Sequence, residues 1–133
     1  MAGLDTNVLV RWIVDDDPRQ VARVKRLLEE AVEQESPLFV PSTVMLELEW
    51  VLRSRYAFDK STVLGAFNAL LETRELEFQD EPAIERALSF YRQNSADFAD
   101  CLHAGLCGSA RRVPMVTFDR TAARLPGVEL LTT

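Results

Sequence analysis

Short apolar runs alternate along this chain with longer stretches that carry a helical apolar stripe, and few folds accommodate that order. Leu4 lies in a first short strand, and Leu38-Phe39-Val40, Leu76-Glu77-Phe78, Val113 to Phe118 and Val128-Glu129-Leu130-Leu131 read as four more. Asn7 to Val14 predicts a short helix. Asp15-Asp16-Asp17-Pro18 breaks it and caps the next, whose stripe is Val21, Val24, Leu27, Leu28, Ala31 and Val32. Pro41-Ser42 starts a helix with Ser42 as its cap; it carries Val44, Met45, Leu48, Val51 and Leu52 and ends near Tyr56. Asp59 caps a helix through Val63, Phe67, Leu70 and Leu71, and Pro82 opens one bearing Ala83, Ile84, Ala87, Leu88 and Tyr91. Asp97 to Ala110 is helical, and a short helix precedes the last strand. Strands separated by helices at this spacing imply an α/β fold, a parallel sheet with helices on both faces. Ligands of such sheets bind beyond the carboxyl ends of the strands.

Four acids stand at or near those ends: Asp5, Glu47, Asp100 and Asp119. Asp5 closes Ala2-Gly3-Leu4, and Asp119 ends the run Val113 to Phe118. Glu47 and Asp100 lie in the early turns of helices that follow on the same rim. Carboxylates converging without partners repel one another and titrate upward, and a divalent cation with oxygen ligands removes that penalty. Each acid also has a plainer reading. Asp5-Thr6-Asn7 fits a helix N-cap, with Thr6 or Asn7 able to supply the cap while Asp5 faces the cleft. Glu47 shares a helix face with Val44 and Val51, where a carboxylate is costly unless metal-bound or paired with an arginine; Glu49 takes the solvated role. Asp97 caps its helix, and Asp100, one turn deeper beside Cys101 and Leu102, is the better ligand. Asp119 fits a turn, with Thr117 on the same side to orient a ligand carboxylate or a water.

The 133 residues suffice for one domain, 1–133, with a core of its own. No apolar run approaches the ~20 residues that span a membrane, and the N-terminus enters structure at once, so a cytoplasmic protein is expected. Cys101 and Cys107 lie six apart in one helix, roughly 9 Å along its axis at 1.5 Å per residue, too far for a disulfide. One histidine, His103, and no C-x-x-C leave a structural zinc site without ligands. The net charge of −6 argues against a nucleic-acid binder. Against that, Arg11, Arg53, Arg55, Arg111, Arg112, Arg120 and Arg124 fall near the acids in sequence, and a local basic rim can still hold an RNA strand.

Four segments carry a resemblance: Leu4-Asp5-Thr6-Asn7-Val8-Leu9, Val44-Met45-Leu46-Glu47-Leu48, Ala96-Asp97-Phe98-Ala99-Asp100-Cys101-Leu102 and Val116-Thr117-Phe118-Asp119-Arg120. In order and spacing the chain resembles, over essentially its whole length, the PIN-domain ribonucleases of the VapC toxin type. The resemblance implies a PIN-like three-layer sandwich with a central, mainly parallel four- to five-stranded sheet flanked by helices. It implies endonucleolytic cleavage of RNA in the presence of Mg2+ or Mn2+, as the toxin of a toxin–antitoxin module. A homodimer and a small VapB-type antitoxin that blocks the site also follow from it. Asp5 and Asp100 match the acids most often named as metal ligands, Glu47 and Asp119 match the other two, and Asp97 matches a frequent neighbouring acid. Cys101 stands where the family often has Ala.

The expected chemistry has one or two Mg2+ ions held by Asp5, Asp100 and Asp119, with Glu47 binding or orienting a water that attacks in line. Asn7, Asp97 and Thr117 support these ligands. Two rival readings keep a similar sheet. One is a non-catalytic PIN-like module that binds RNA or protein. The other is a phosphatase or phospho-acceptor domain. The latter needs a second acid two residues after the nucleophilic Asp, where Asn7 stands, or a lysine after a late strand; the lysines are Lys25 and Lys60.

Overall fold

The computed structural model describes residues 2–133, in two compact units: one ends at Gln79 and the other is Asp80–Thr133. The first unit holds α1 (Thr6–Val14), α2 (Pro18–Glu33), β1 (Leu38–Val40), α3 (Ser42–Arg55), α4 (Lys60–Leu71) and β2 (Leu76–Phe78). The second holds α5 (Glu81–Gln93), α6 (Phe98–Ser109), β3 (Met115–Thr117), a 3-10 turn (Ala122–Arg124) and β4 (Val128–Leu130). The alternation of elements is the one the sequence predicts. Among the described residues, no helix is long and apolar enough to cross a membrane.

In the first unit β1 and β2 pair in parallel, with Leu38 opposite Leu76 and Val40 opposite Phe78. The expected strand at Leu4 is reduced to one parallel bridge, Gly3 with Phe39, whose flanking bonds are Leu4 N–H to Phe39 O at 2.8 Å and Phe39 N–H to Ala2 O at 2.8 Å. Leu9, Val10, Val40, Met45, Leu48, Leu52, Val63 and Phe67 are buried there. Each such side chain contributes roughly 1.5–3 kcal/mol relative to exposure. Asp17 caps α2 by accepting from Gln20 N–H at 3.2 Å, ahead of Pro18. Ser42 is not the cap of α3. Pro41 holds that position, and the buried Ser42 is the first helical residue, donating its hydroxyl to Gln79 O at 3.2 Å and its N–H to Gln79 Oε1 at 3.0 Å. The start of α3 is thereby tied to the end of β2.

In the second unit β3 and β4 pair in parallel, Met115 opposite Val128 and Thr117 opposite Leu130. α5 and α6 pack through small side chains, Ala83 and Ala87 from one and Ala104 and Gly105 from the other, all buried. A Cβ added at Gly105 would lie 2.6 Å from Ala83 O, so this crossing needs glycine. Tyr91 and Phe98 meet edge to face at 5.4 Å. Asp80 caps α5 from a left-handed conformation (φ 52) and accepts from the Ser109 hydroxyl at 2.7 Å, joining the start of α5 to the end of α6.

Among the described residues each unit pairs two strands in parallel, β1 with β2 and β3 with β4, and the central four- to five-stranded sheet expected is not shown. Every strand is three residues long. Prolines set some of those limits, because a proline has no N–H for a ladder: Pro37 and Pro41 bracket β1, and Pro114 precedes β3. The run expected from Val113 to Phe118 keeps only Met115–Thr117.

Trp12 and Tyr56 are half-buried. Trp12 lines a groove of about 380 Å³ with Ile13, Phe58, Ala66 and Leu70. Trp50 is exposed, with the Arg55 guanidinium 5.9 Å from its ring, and Tyr56 accepts from Arg11 Nη2 at 2.7 Å. Cys101 and Cys107 are free thiols, and Cys101 is buried.

Candidate active site

In the first unit Asp5 and Glu47 are joined through Thr6. Asp5 is itself the N-cap of α1: its Oδ1 accepts from Thr6 N–H at 2.7 Å, so neither Thr6 nor Asn7 replaces it there. A carboxylate has two oxygens, and capping with one leaves ligand capacity on the other. Asp5 and Asn7 are exposed. Thr6 is 3% exposed, and its hydroxyl donates to Glu47 Oε1.

Glu47 and Glu49 exchange the roles read from the sequence. Glu47 is exposed, whereas Glu49 is 3% exposed and accepts from Arg53 Nε at 2.9 Å. The buried stripe of α3 runs through Val44, Met45, Leu48, Val51 and Leu52. At 100° per residue its centre lies between Met45 and Leu48. Glu49 falls beside that centre, and Glu47 falls beyond the Val44–Val51 edge. The buried Glu–Arg pairing weighed for Glu47 exists, one turn of helix apart, at Glu49 and Arg53.

The second unit holds Asp97, Asp100 and Asp119. Asp97 caps α6, accepting from Asp100 N–H at 2.9 Å. Asp100, half-buried in the first turn, has its carboxyl held above the ordinary value. Burial is the main cause, followed by the negative charges of Asp97 and Asp119 and a hydrogen bond with Asp97; His103 opposes the shift. Asp100 and Asp119 therefore lie within electrostatic reach of each other. Asp119 Oδ1 accepts from Thr121 N–H at 2.8 Å and Ala122 N–H at 3.1 Å, so the turn reading of this residue holds. The Thr117 hydroxyl accepts from Asp119 N–H at 3.0 Å. It braces the backbone of Asp119, where the expectation was a ligand carboxylate or a water.

Among the described residues, none of these five acids is ion-paired with a lysine or arginine; the pairs that form take Asp16, Glu30 and Glu49. No three carboxylate, imidazole or thiol groups among the described residues stand close enough together to form a ready-made metal cage. Each of these acids offers oxygen donors, and in the second unit the charges of Asp97 and Asp119 oppose the ionisation of Asp100. Hard divalent cations such as Mg2+ or Mn2+ suit such donors better than zinc does. Thr6 is the residue that sequence reasoning undervalued. Its position after Asp5 was visible, but its burial and its bond to a residue 41 positions away were not.

The family model for the PIN domain matches residues 3–128 of this chain. A VapC ribonuclease of Aquifex aeolicus (strain VF5) is 25% identical over 125 residues, covering 94% of this chain and 92% of that protein. The family match spans all four acidic segments, and the two comparisons bear out the resemblance drawn from them.

Proposed function

The chain belongs to the PIN domain family, and on that premise we propose that it is a metal-dependent endoribonuclease, the toxin of a toxin–antitoxin pair, working as one domain over residues 1–133. One observation carries the reading. The Asp100 carboxyl is burdened by burial and by the charges of Asp97 and Asp119, and among the described residues no lysine or arginine pairs with any of the three. A fold accepts that arrangement where a cation relieves it.

Asp5, Asp100 and Asp119 would hold the cation, Mg2+ in the first instance and Mn2+ as a substitute. Once bound, it lowers the pKa of a water and stabilises charge on the phosphodiester oxygens. The chain's own residues set the geometry. Thr6 holds Glu47 at one oxygen, and Glu47 orients the attacking water with the other. Asp97 fixes the first turn of α6 and with it Asp100. Thr117 and the cap contacts fix Asp119. Water is the nucleophile and no side chain forms a covalent intermediate, so the lone His103 needs no catalytic role. Likeness to a VapC ribonuclease supports an RNA substrate, a small VapB-type antitoxin, a homodimer and a cytoplasmic setting. Wild-type protein in Mg2+ should cut single-stranded RNA internally, and Asp100→Asn should lower the rate by at least about a hundredfold. Cleavage by Asp100→Asn at the wild-type rate would remove this assignment.

A further inference from the structure

The carboxylate of Glu47 is held by the hydroxyl of Thr6, a residue of another helix. That bond forms only where α3 lies at the right height and phase beside α1. Burial of Met45, Leu48 and Leu52 fixes which face of α3 turns inward. Apolar contacts are non-directional, so they leave a helix room to slide by fractions of an ångström. Hydrogen bonds have directions and narrow distance ranges, and they set the register.

α3 begins without a side-chain cap of its own, because Pro41 stands at that position. The first N–H groups of a helix have no partner inside it. Gln79 supplies one from 37 residues away: its Oε1 accepts from Ser42 N–H at 3.0 Å, and its main-chain O accepts from the Ser42 hydroxyl at 3.2 Å. Gln79 is anchored in turn, its N–H donating to Val40 O at 2.9 Å. Val40 is fully buried and stands opposite Phe78. These three bonds join the ends of β1 and β2 to the first residue of α3. Glu47 lies five residues further on, roughly 7.5 Å along the axis at 1.5 Å per residue. At the far end of α3 the Tyr56 hydroxyl accepts from Arg11 Nη2 at 2.7 Å, and Arg11 belongs to α1, the helix of Thr6. α3 is thus pinned at its start and at its end, with Glu47 between the pins. In the first pin, the two main-chain contacts of Gln79 survive any residue at that position. Its Oε1 is the part that requires a glutamine, at a position where burial does not ask for one.

We infer that Gln79 is a positioning residue for Glu47: its side-chain oxygen sets the start of α3 and so brings the Glu47 carboxylate to the Thr6 hydroxyl. Gln79 acts on the reaction only through Glu47. This role rests on the ribonuclease reading above and extends it from the acids to the contact that aims one of them.

The test is a double-mutant cycle on the full chain, read as kcat and KM for cleavage of a fluorescein-labelled, mixed-sequence single-stranded RNA in Mg2+. Gln79→Met keeps the length of the side chain and removes its acceptor. It should lower kcat roughly two- to tenfold, the range of one neutral hydrogen bond, with KM little changed. Gln79→Glu keeps an acceptor, and a negative charge suits a helix start, so it should hold the wild-type kcat. In a Thr6→Val background Glu47 is already released, and Gln79→Met should then cost little more. Gln79→Asn, whose amide stops one methylene short of Ser42 N–H, should behave as Gln79→Met does; it decides the role should Gln79→Met fail to fold. A wild-type kcat in Gln79→Met would overturn the role. So would a loss that Gln79→Glu does not recover, a loss of equal size with and without Thr6→Val, or a change in KM alone. Each of those results leaves wild-type cleavage standing and ends the role of Gln79 alone, whereas no cleavage by wild type in Mg2+ ends the ribonuclease reading and this role with it.

Discussion

The buried hydroxyl of Thr6 donates a hydrogen bond to the carboxylate of Glu47, linking the first residue of α1 to the second turn of α3. Thr6 is β-branched and enclosed, so its hydroxyl has little freedom. Glu47 is exposed and would otherwise sample many rotamers. The bond converts a mobile surface acid into an oriented one beside Asp5.

Thr6→Val keeps the shape of the side chain and removes its donor. A lost hydrogen bond to a charged group is worth about 1.5–3 kcal/mol, so kcat should fall roughly ten- to one-hundredfold with KM for RNA little changed. Thr6→Ser should recover most of the rate. Steady-state cleavage kinetics of the two variants check this, and an unchanged kcat in Thr6→Val would remove Thr6 from the site.

Asp100 should trade stability against activity. Its folded-state pKa is raised, chiefly by burial. The contribution of such a carboxyl to stability is complete below its unfolded-state pKa and is lost as pH rises through the folded-state value. At neutral pH without a divalent cation, the ionised Asp100 therefore weighs on the fold. Asp100→Asn should melt higher than wild type by roughly a few degrees at neutral pH, and the two should converge in acid. Excess Mg2+ should raise the wild-type melting temperature and leave that of Asp100→Asn nearly unmoved. Thermal melts across pH, with and without Mg2+, measure both effects.

Asp59 should behave in the opposite sense, and away from the site. It caps α4 by accepting from Thr62 N–H at 2.8 Å and from the Thr62 hydroxyl at 2.7 Å, and these bonds hold its pKa below the ordinary carboxylate value. Its contribution is present above the unfolded-state pKa and is lost as pH falls through the lower folded-state value. Asp59→Ala should lower the melting temperature at neutral pH, with the difference shrinking in strong acid and RNA cleavage unaffected.

Gly105 tests the close packing of α6 against α5. Alanine is ordinarily the better helix former by about 1 kcal/mol. Here its Cβ would meet Ala83 O at 2.6 Å, a backbone atom that cannot swing aside. Overpacking of this kind costs about 1–3 kcal/mol, so Gly105→Ala should destabilise the protein in urea unfolding. A more stable variant would show that α5 and α6 separate more easily than they pack here.

Much of this architecture was legible because local signals agreed. Prolines and capping acids marked the helix starts at Pro18, Lys60, Glu81 and Phe98. Short apolar runs marked the parallel strands. The four acids of the proposed site were legible as well, from their places after strands and from a family resemblance that the PIN domain match bears out. What stayed hidden depended on helix phase and tertiary contact. Counting Glu47 from Val44 placed it on the buried face, but the stripe is centred on Met45 and Leu48, which buries Glu49 instead. Thr117 pointed toward Asp119 as alternation requires, yet its hydroxyl met the backbone N–H first. The strand partners were also hidden, since three-residue strands give periodicity too little length to say which strand pairs with which.

Calorimetric titration of the wild-type protein and Asp100→Asn with Mn2+ reaches the central claim most directly. The acids should bind the ion at a whole-number stoichiometry in wild type, and that binding should vanish in Asp100→Asn while circular dichroism shows the same fold. Equal Mn2+ binding by the two proteins, or none by either, would contradict a cation site built on Asp100.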